Sequence, residues 1–191
     1  DGIGDACDPE HNVSFILLTS EPGEALLEGE DLRLTLGDGE IQAAVGQGGA
    51  MEVWLDGLES WRFLLGAAGG GQLAPGLYEM AVRQPFSRSR AFLSVSGRGV
   101  GCSEVSGRFE IGEAVFALDG QIERFAAHFE HHCEYDAPAL WGTISYNASA
   151  VRERDCDGNG LPDREDIDAG RSTDQNPNGI ADACEPGQQV P

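Results

Sequence analysis

Two stretches near the carboxyl end set oxygen-bearing side chains at the spacing a hard cation needs. Counting Asp155 as position 1, Asp155, Asp157, Asn159, Asp163 and Asp166 fall at positions 1, 3, 5, 9 and 12, with Gly160 at 6 and Leu161 at 7. Counting Asp174 as position 1, Asp174, Asn176, Asn178, Asp182 and Glu185 fall at the same positions, with Gly179 at 6 and Ile180 at 7. This is the ligand order of a twelve-residue calcium loop. Short Asp and Asn stems aim oxygens at one centre. The glycine permits a turn that a Cβ would block, and position 7 contributes its carbonyl, which leaves its side chain free to be apolar. The carboxylate at position 12 supplies charge. Mg²⁺ suits such an all-protein cage poorly because it demands near-octahedral geometry. The spacing therefore predicts Ca²⁺ as the cofactor.

The amino end repeats half of this pattern. With Gly2 set at position 6, Asp1, Ile3, Asp5 and Asp8 take positions 5, 7, 9 and 12, and the string closely matches 179–185. Positions 1 and 3 of that loop must then come from a preceding repeat or from a neighbouring subunit. The chain begins inside a motif, without the charged and apolar regions of a signal peptide, so a processed piece of a longer precursor is expected.

Composition narrows the partners. The 191 residues carry 33 acidic and 12 basic side chains, a net charge of −21, which is the wrong sign for nucleic acid or an anionic membrane surface. No apolar run approaches the roughly 20 residues of a membrane-spanning helix. All 12 basic residues are arginine, for which we have no physical account. Five cysteines in such a chain point to an oxidising, extracellular compartment. Cys156 and Cys184 lie inside the two loops and can staple them. Cys102 and Cys133 flank late strands and make a second pair. Cys7 is left for an intermolecular bond or an upstream partner.

Residues 11–150 must hold the core. Short runs rich in β-branched, leucine and aromatic residues alternate with Gly, Pro, Asp and Ser at intervals of about 8–12 residues, the all-β pattern. Strands are expected at 13–19, 31–36, 41–45, 51–55, 61–66, 77–83, 91–96, 107–111, 114–118, 121–131 and 139–147. Gly37-Asp38-Gly39 and Asp119-Gly120 read as hairpin turns. The expected architecture is an antiparallel β-sandwich over 11–150, preceded by a partial calcium repeat at 1–10. Two calcium-loop repeats and a linker tail follow at 151–191.

The segment Asp1-Gly2-Ile3-Gly4-Asp5-Ala6-Cys7-Asp8 resembles the end of a thrombospondin type 3 repeat, and 155–185 is similar to such repeats and to dockerin-type calcium repeats. The resemblance covers roughly 40 residues at the two ends. It implies calcium-wrapped chain with little core, tied by disulfides between neighbouring repeats. Type 3 arrays run contiguously, whereas here a large domain separates the copies. Residues 11–150 look like a β domain found beside such repeats in secreted bacterial proteins, with no assigned function.

Other constellations carry less. His128, Glu130 and His132 share one side of a strand and could ligate zinc, but no fourth ligand is indicated; an exposed sheet face is the plainer reading. Gly97-Arg98-Gly99-Val100-Gly101 reads as a turn. Trp54, Trp61 and Trp141 form either a sugar-stacking platform or ordinary packing. No nucleophile elbow or Ser/His/Asp arrangement is present, and no enzyme is expected. The sequence reads as an extracellular calcium-binding structural or assembly protein, secreted or at the cell surface. Its partners are neighbouring copies, joined head to tail in a fibre with calcium at the junctions, or adjacent modules of a longer precursor. The second reading is a calcium-rigidified accessory module that binds polysaccharide or a cell surface.

Overall fold

Alternation of apolar and polar residues decides which side of each strand is buried. Met51, Val53 and Leu55 are fully buried, while Glu52, Trp54 and Asp56 between them are not. The computed structural model describes residues 12–83, 89–134 and 138–149, together with residues 167, 172–175 and 181–182. Among these, eleven strands form: β1 (Asn12–Ser20), β2 (Asp31–Thr35), β3 (Gly39–Val45), β4 (Met51–Gly57), β5 (Ser60–Gly66), β6 (Gly76–Val82), β7 (Phe92–Gly97), β8 (Val100–Gly101), β9 (Val105–Phe116), β10 (Ile122–Cys133) and β11 (Ala139–Ser149). The chain divides into two units, residues 1–150 and 151–191. All eleven strands belong to the first.

The protein is all-β, but its strands do not split into the two sheets expected. They follow one hydrogen-bonded path, β2-β1-β11-β10-β9-β6-β7-β5-β4-β3, with β8 added on β7. The two ends of the path, β2 and β3, are separated in the chain only by residues 36–38, so the sheet rolls back on itself into a nearly closed barrel. Sandwich and barrel both hide one face of every strand, so strand spacing alone does not choose between them. The turn at Gly37-Asp38-Gly39 is corrected in the same way. It is tight, held by Asp38 N–H on the Thr35 carbonyl and by the Asp38 carboxylate on the Thr35 N–H and hydroxyl. Yet β2 pairs with β1 and β3 with β4, so it is a corner rather than a hairpin. Asp119-Gly120 does join a paired hairpin, β9–β10.

The expected strands 107–111 and 114–118 are one strand, β9. Gly112, which lies between those two expected strands, is the extra residue of a bulge: Ala126 pairs with Glu113 and Ala127 with Ile111. Glycine has a second use within the strands. Gly97 lies opposite Trp61, Gly66 opposite Phe92 and Gly142 opposite Phe129. A Cβ at Gly97 would sit 2.3 Å from the Trp61 ring, and one at Gly142 would sit 2.1 Å from Phe129. The large rings of the core thus lie over the bare backbone of a neighbouring strand. Phe63 and Phe129, from β5 and β10, meet across the interior at 5.9 Å.

Side chains help to close the barrel. Arg98, in the β7–β8 turn, reaches Glu59 beside β5 (2.9 Å) and Glu30 beside β2 (3.1 Å). Its hydrogen bond to Glu59 is the main reason that this carboxyl is held below the usual range. Arg98 also has φ +53, a left-handed conformation that favours glycine. Arg98→Gly therefore removes the clamp without adding strain. We expect it to lower stability by no more than about 1 kcal/mol, as is usual for exposed pairs. The difference from the parent should shrink in molar salt. Urea midpoints at low and high salt check this; a salt-independent loss would mean that Arg98 acts through packing.

Candidate metal centre

The second acidic loop is described at two of its ligand positions, Asp174 and Asp182. The Asp182 backbone N–H donates to the Thr173 carbonyl (2.7 Å), and its side-chain Oδ1 accepts the Gln175 N–H (2.9 Å). Position 9 of the loop is thereby pinned to residues on both sides of position 1. Asp182 is 3 % exposed, and among the described residues no donor reaches its Oδ2. The Gln175 backbone N–H, followed by the Thr173 side chain, holds this carboxyl below its ordinary range, so it stays ionised. A buried ionised oxygen without a donor is costly unless something positive meets it. The donor set at this loop is all oxygen, which suits Ca²⁺.

The other expected positions lie outside the described residues: Asp1, Ile3, Asp5 and Asp8 of the amino-terminal repeat, and Asp155, Asp157, Asn159, Leu161, Asp163 and Asp166 of the first loop. So do Asn176, Asn178, Ile180 and Glu185 of the second loop, and Cys7, Cys156 and Cys184. Ile167, which follows the first loop, is helical. Among the described residues no group of three or more His, Cys, Asp or Glu side chains is placed to hold a metal.

In the barrel, one expected pair is formed: Cys102 and Cys133 are joined by a disulfide, buried with Val105. His128, Glu130 and His132 do share the outer side of β10. Each is already bonded to a protein partner. Glu130 takes Arg108 at 2.8 Å and His132 at 2.9 Å, and His128 Nδ1 lies 3.0 Å from the Thr143 hydroxyl. The His132 bond and the Arg108 charge hold the Glu130 carboxyl below its usual range despite partial burial. This is a hydrogen-bonded surface network rather than a zinc cage. The three tryptophans are not one platform. Trp61 is fully buried in the core, and Trp54 and Trp141 are half-buried on β4 and β11, which are not neighbours in the sheet.

Two further polar groups are buried, outside the sites expected from the sequence. His131 is fully buried on the inner side of β10, and among the described residues neither ring nitrogen has a partner. Burial, reinforced by the charge of His132, pushes its pKa down to about 4. The alternation of Phe125, Ala127 and Phe129 continues inward to 131. Glu24, 1 % exposed, caps its own turn through Oε2, which accepts the N–H groups of Leu26 and Leu27 at 2.8 Å each. No family model, curated protein or solved structure matches this chain.

Proposed function

We propose that the chain is an extracellular structural protein that binds Ca²⁺ through its acidic repeats. The barrel serves as a spacer, and the repeats connect it, head to tail, to neighbouring copies or modules. The observation that carries this reading is Asp182. It holds a loop position that the calcium spacing reserves for a ligand, and its free carboxylate oxygen is buried and lacks a donor among the described residues. The net charge of −21 supports a divalent counterion, and a buried disulfide in the barrel supports an oxidising compartment.

Calorimetric titration of the decalcified protein tests the binding. Ca²⁺ is expected to bind and Mg²⁺ to bind far more weakly. Asp182→Asn keeps an acceptor for the Gln175 N–H but removes the charge. It should weaken Ca²⁺ binding by at least about ten-fold, the low end of what the loss of an outer-shell partner costs. Absence of binding heat, or an unchanged affinity in Asp182→Asn, would sink the reading. Sedimentation with Ca²⁺ and with chelator tests assembly: longer particles with Ca²⁺ are expected, and a strict monomer in both would remove the connector role.

A further inference from the structure

The outer face of the barrel carries one built row. Arg108 on β9 lies directly opposite Glu130 on β10, Glu130 opposite Trp141 on β11, Trp141 opposite Thr19 on β1, and Thr19 opposite Asp31 on β2. Directly paired residues project to the same side of a sheet. The row therefore places one tryptophan between a fixed ion-pair network and two further polar side chains. Five strands about 4.8 Å apart make it roughly 19 Å long.

The network beside Trp141 is held in place before any ligand arrives. Arg108 Nη2 and Nε both meet Glu130 Oε2 at 2.8 Å, and Glu130 Oε1 meets His132 at 2.9 Å. The three side chains remain 38 %, 25 % and 24 % exposed, so they are ordered yet reachable. Trp54, the other half-buried tryptophan, has only a looser counterpart: Arg62 and Glu52 at 3.5 Å, at 58 % and 39 % exposure.

We infer that this row is a platform for a neutral polysaccharide, with Trp141 stacking on a sugar ring and Arg108, Glu130 and His132 taking its hydroxyls. A pyranose offers an apolar C–H face and a rim of groups that both donate and accept. It needs a flat aromatic flanked by convergent polar groups whose rotamers are already fixed. The strongly acidic chain repels polyanionic glycans, which leaves the neutral ones.

Affinity electrophoresis in native gels containing a mixed-linkage β-glucan, a mannan or amylose tests this. At least one polymer is expected to retard the protein. Trp141→Ala and Glu130→Gln should each raise the half-retarding polymer concentration at least ten-fold. Trp141→Phe should keep part of the retardation, because the aromatic plane survives, and Trp54→Ala should keep all of it. Near-UV circular dichroism identifies variants that are still folded. No retardation by any of the three polymers, or retardation that survives in folded Trp141→Ala, overturns the inference.

Discussion

Lowering the pH from 6.5 to 4 should destabilise the barrel by about 3 kcal/mol, and replacing one side chain should abolish most of that loss. His131 is the cause. Its pKa falls from an ordinary 6.5 to about 4 because the ring is fully buried. Its sheet neighbours add no charge: Gly107 on one side and Leu140 on the other. Between pH 4 and 6.5 the unfolded chain takes up a proton that the folded chain refuses. Stability is therefore complete above 6.5, declines as pH falls through that window, and loses nothing further from this group below 4. A separation of about 2.5 pKa units corresponds to about 3 kcal/mol. The depressed carboxylates Glu59, Glu113 and Glu130 act in the same direction but lower down. Their contribution is intact above the ordinary value of 4.5 and is lost as pH falls toward their shifted values. The interval from 4.5 to 6.5 thus lies above those carboxylates, and His131→Leu separates His131 from the chain's other three histidines. Urea unfolding followed by tryptophan fluorescence at several pH values measures it. His131→Leu should flatten the profile there and should not be less stable at pH 5, because it removes two buried nitrogens that lack partners. A parent profile already flat over that interval, or a slope that persists in His131→Leu, would refute the assignment.

That histidine also shows where the sequence could and could not be read. Strand positions were legible because each depends on local alternation: Met51, Val53 and Leu55 turn inward whatever lies across the core. Closure was not, because it depends on how β2 and β3 meet after the chain has passed through every other strand. The continuity of β9 through Gly112 was hidden for a related reason. A glycine that breaks a strand and one that bulges it look alike until the partner strand is known. The Cys102–Cys133 pair was legible because both residues flank adjacent late strands. The calcium spacing is chemical and local, so it can be read directly. The burial of Asp182 and its bond to Gln175 could not, since both arise from how residues 173–175 return to it. On the outer face, the sequence placed His128, Glu130 and His132 on one side. It could not supply Arg108 and Trp141, which adjacent strands bring alongside.

Loss of the Cys102–Cys133 bond should cost about as much as the buried histidine does at low pH. The bond spans 31 residues of sequence, and its main effect is to restrict the unfolded chain. For a loop of that length the loss is about 3–4 kcal/mol, enough to lower the melting temperature by about 10 °C in a domain of this size. The folded barrel should survive the change. Cys133 already pairs with Val105 at the end of the β9–β10 ladder, the Glu134 N–H donates to the Glu104 carbonyl, and the Glu134 carboxylate accepts the Ser103 N–H at 2.9 Å. The double substitution Cys102→Ala and Cys133→Ala should therefore leave the far-ultraviolet circular dichroism unchanged while lowering the urea midpoint and the melting temperature. Both sulfurs are nearly inaccessible, at 6 % and 5 % residue exposure, so reductant should act on the native protein only as fast as that end of the barrel opens. Adding urea below the midpoint should accelerate thiol release. If the double variant melts with the parent, the ladder alone holds this end in the unfolded ensemble as well as in the fold. If it fails to form strands at all, the bond is required to set the β9–β10 register. Either result would displace the account in which the disulfide acts by limiting the unfolded chain.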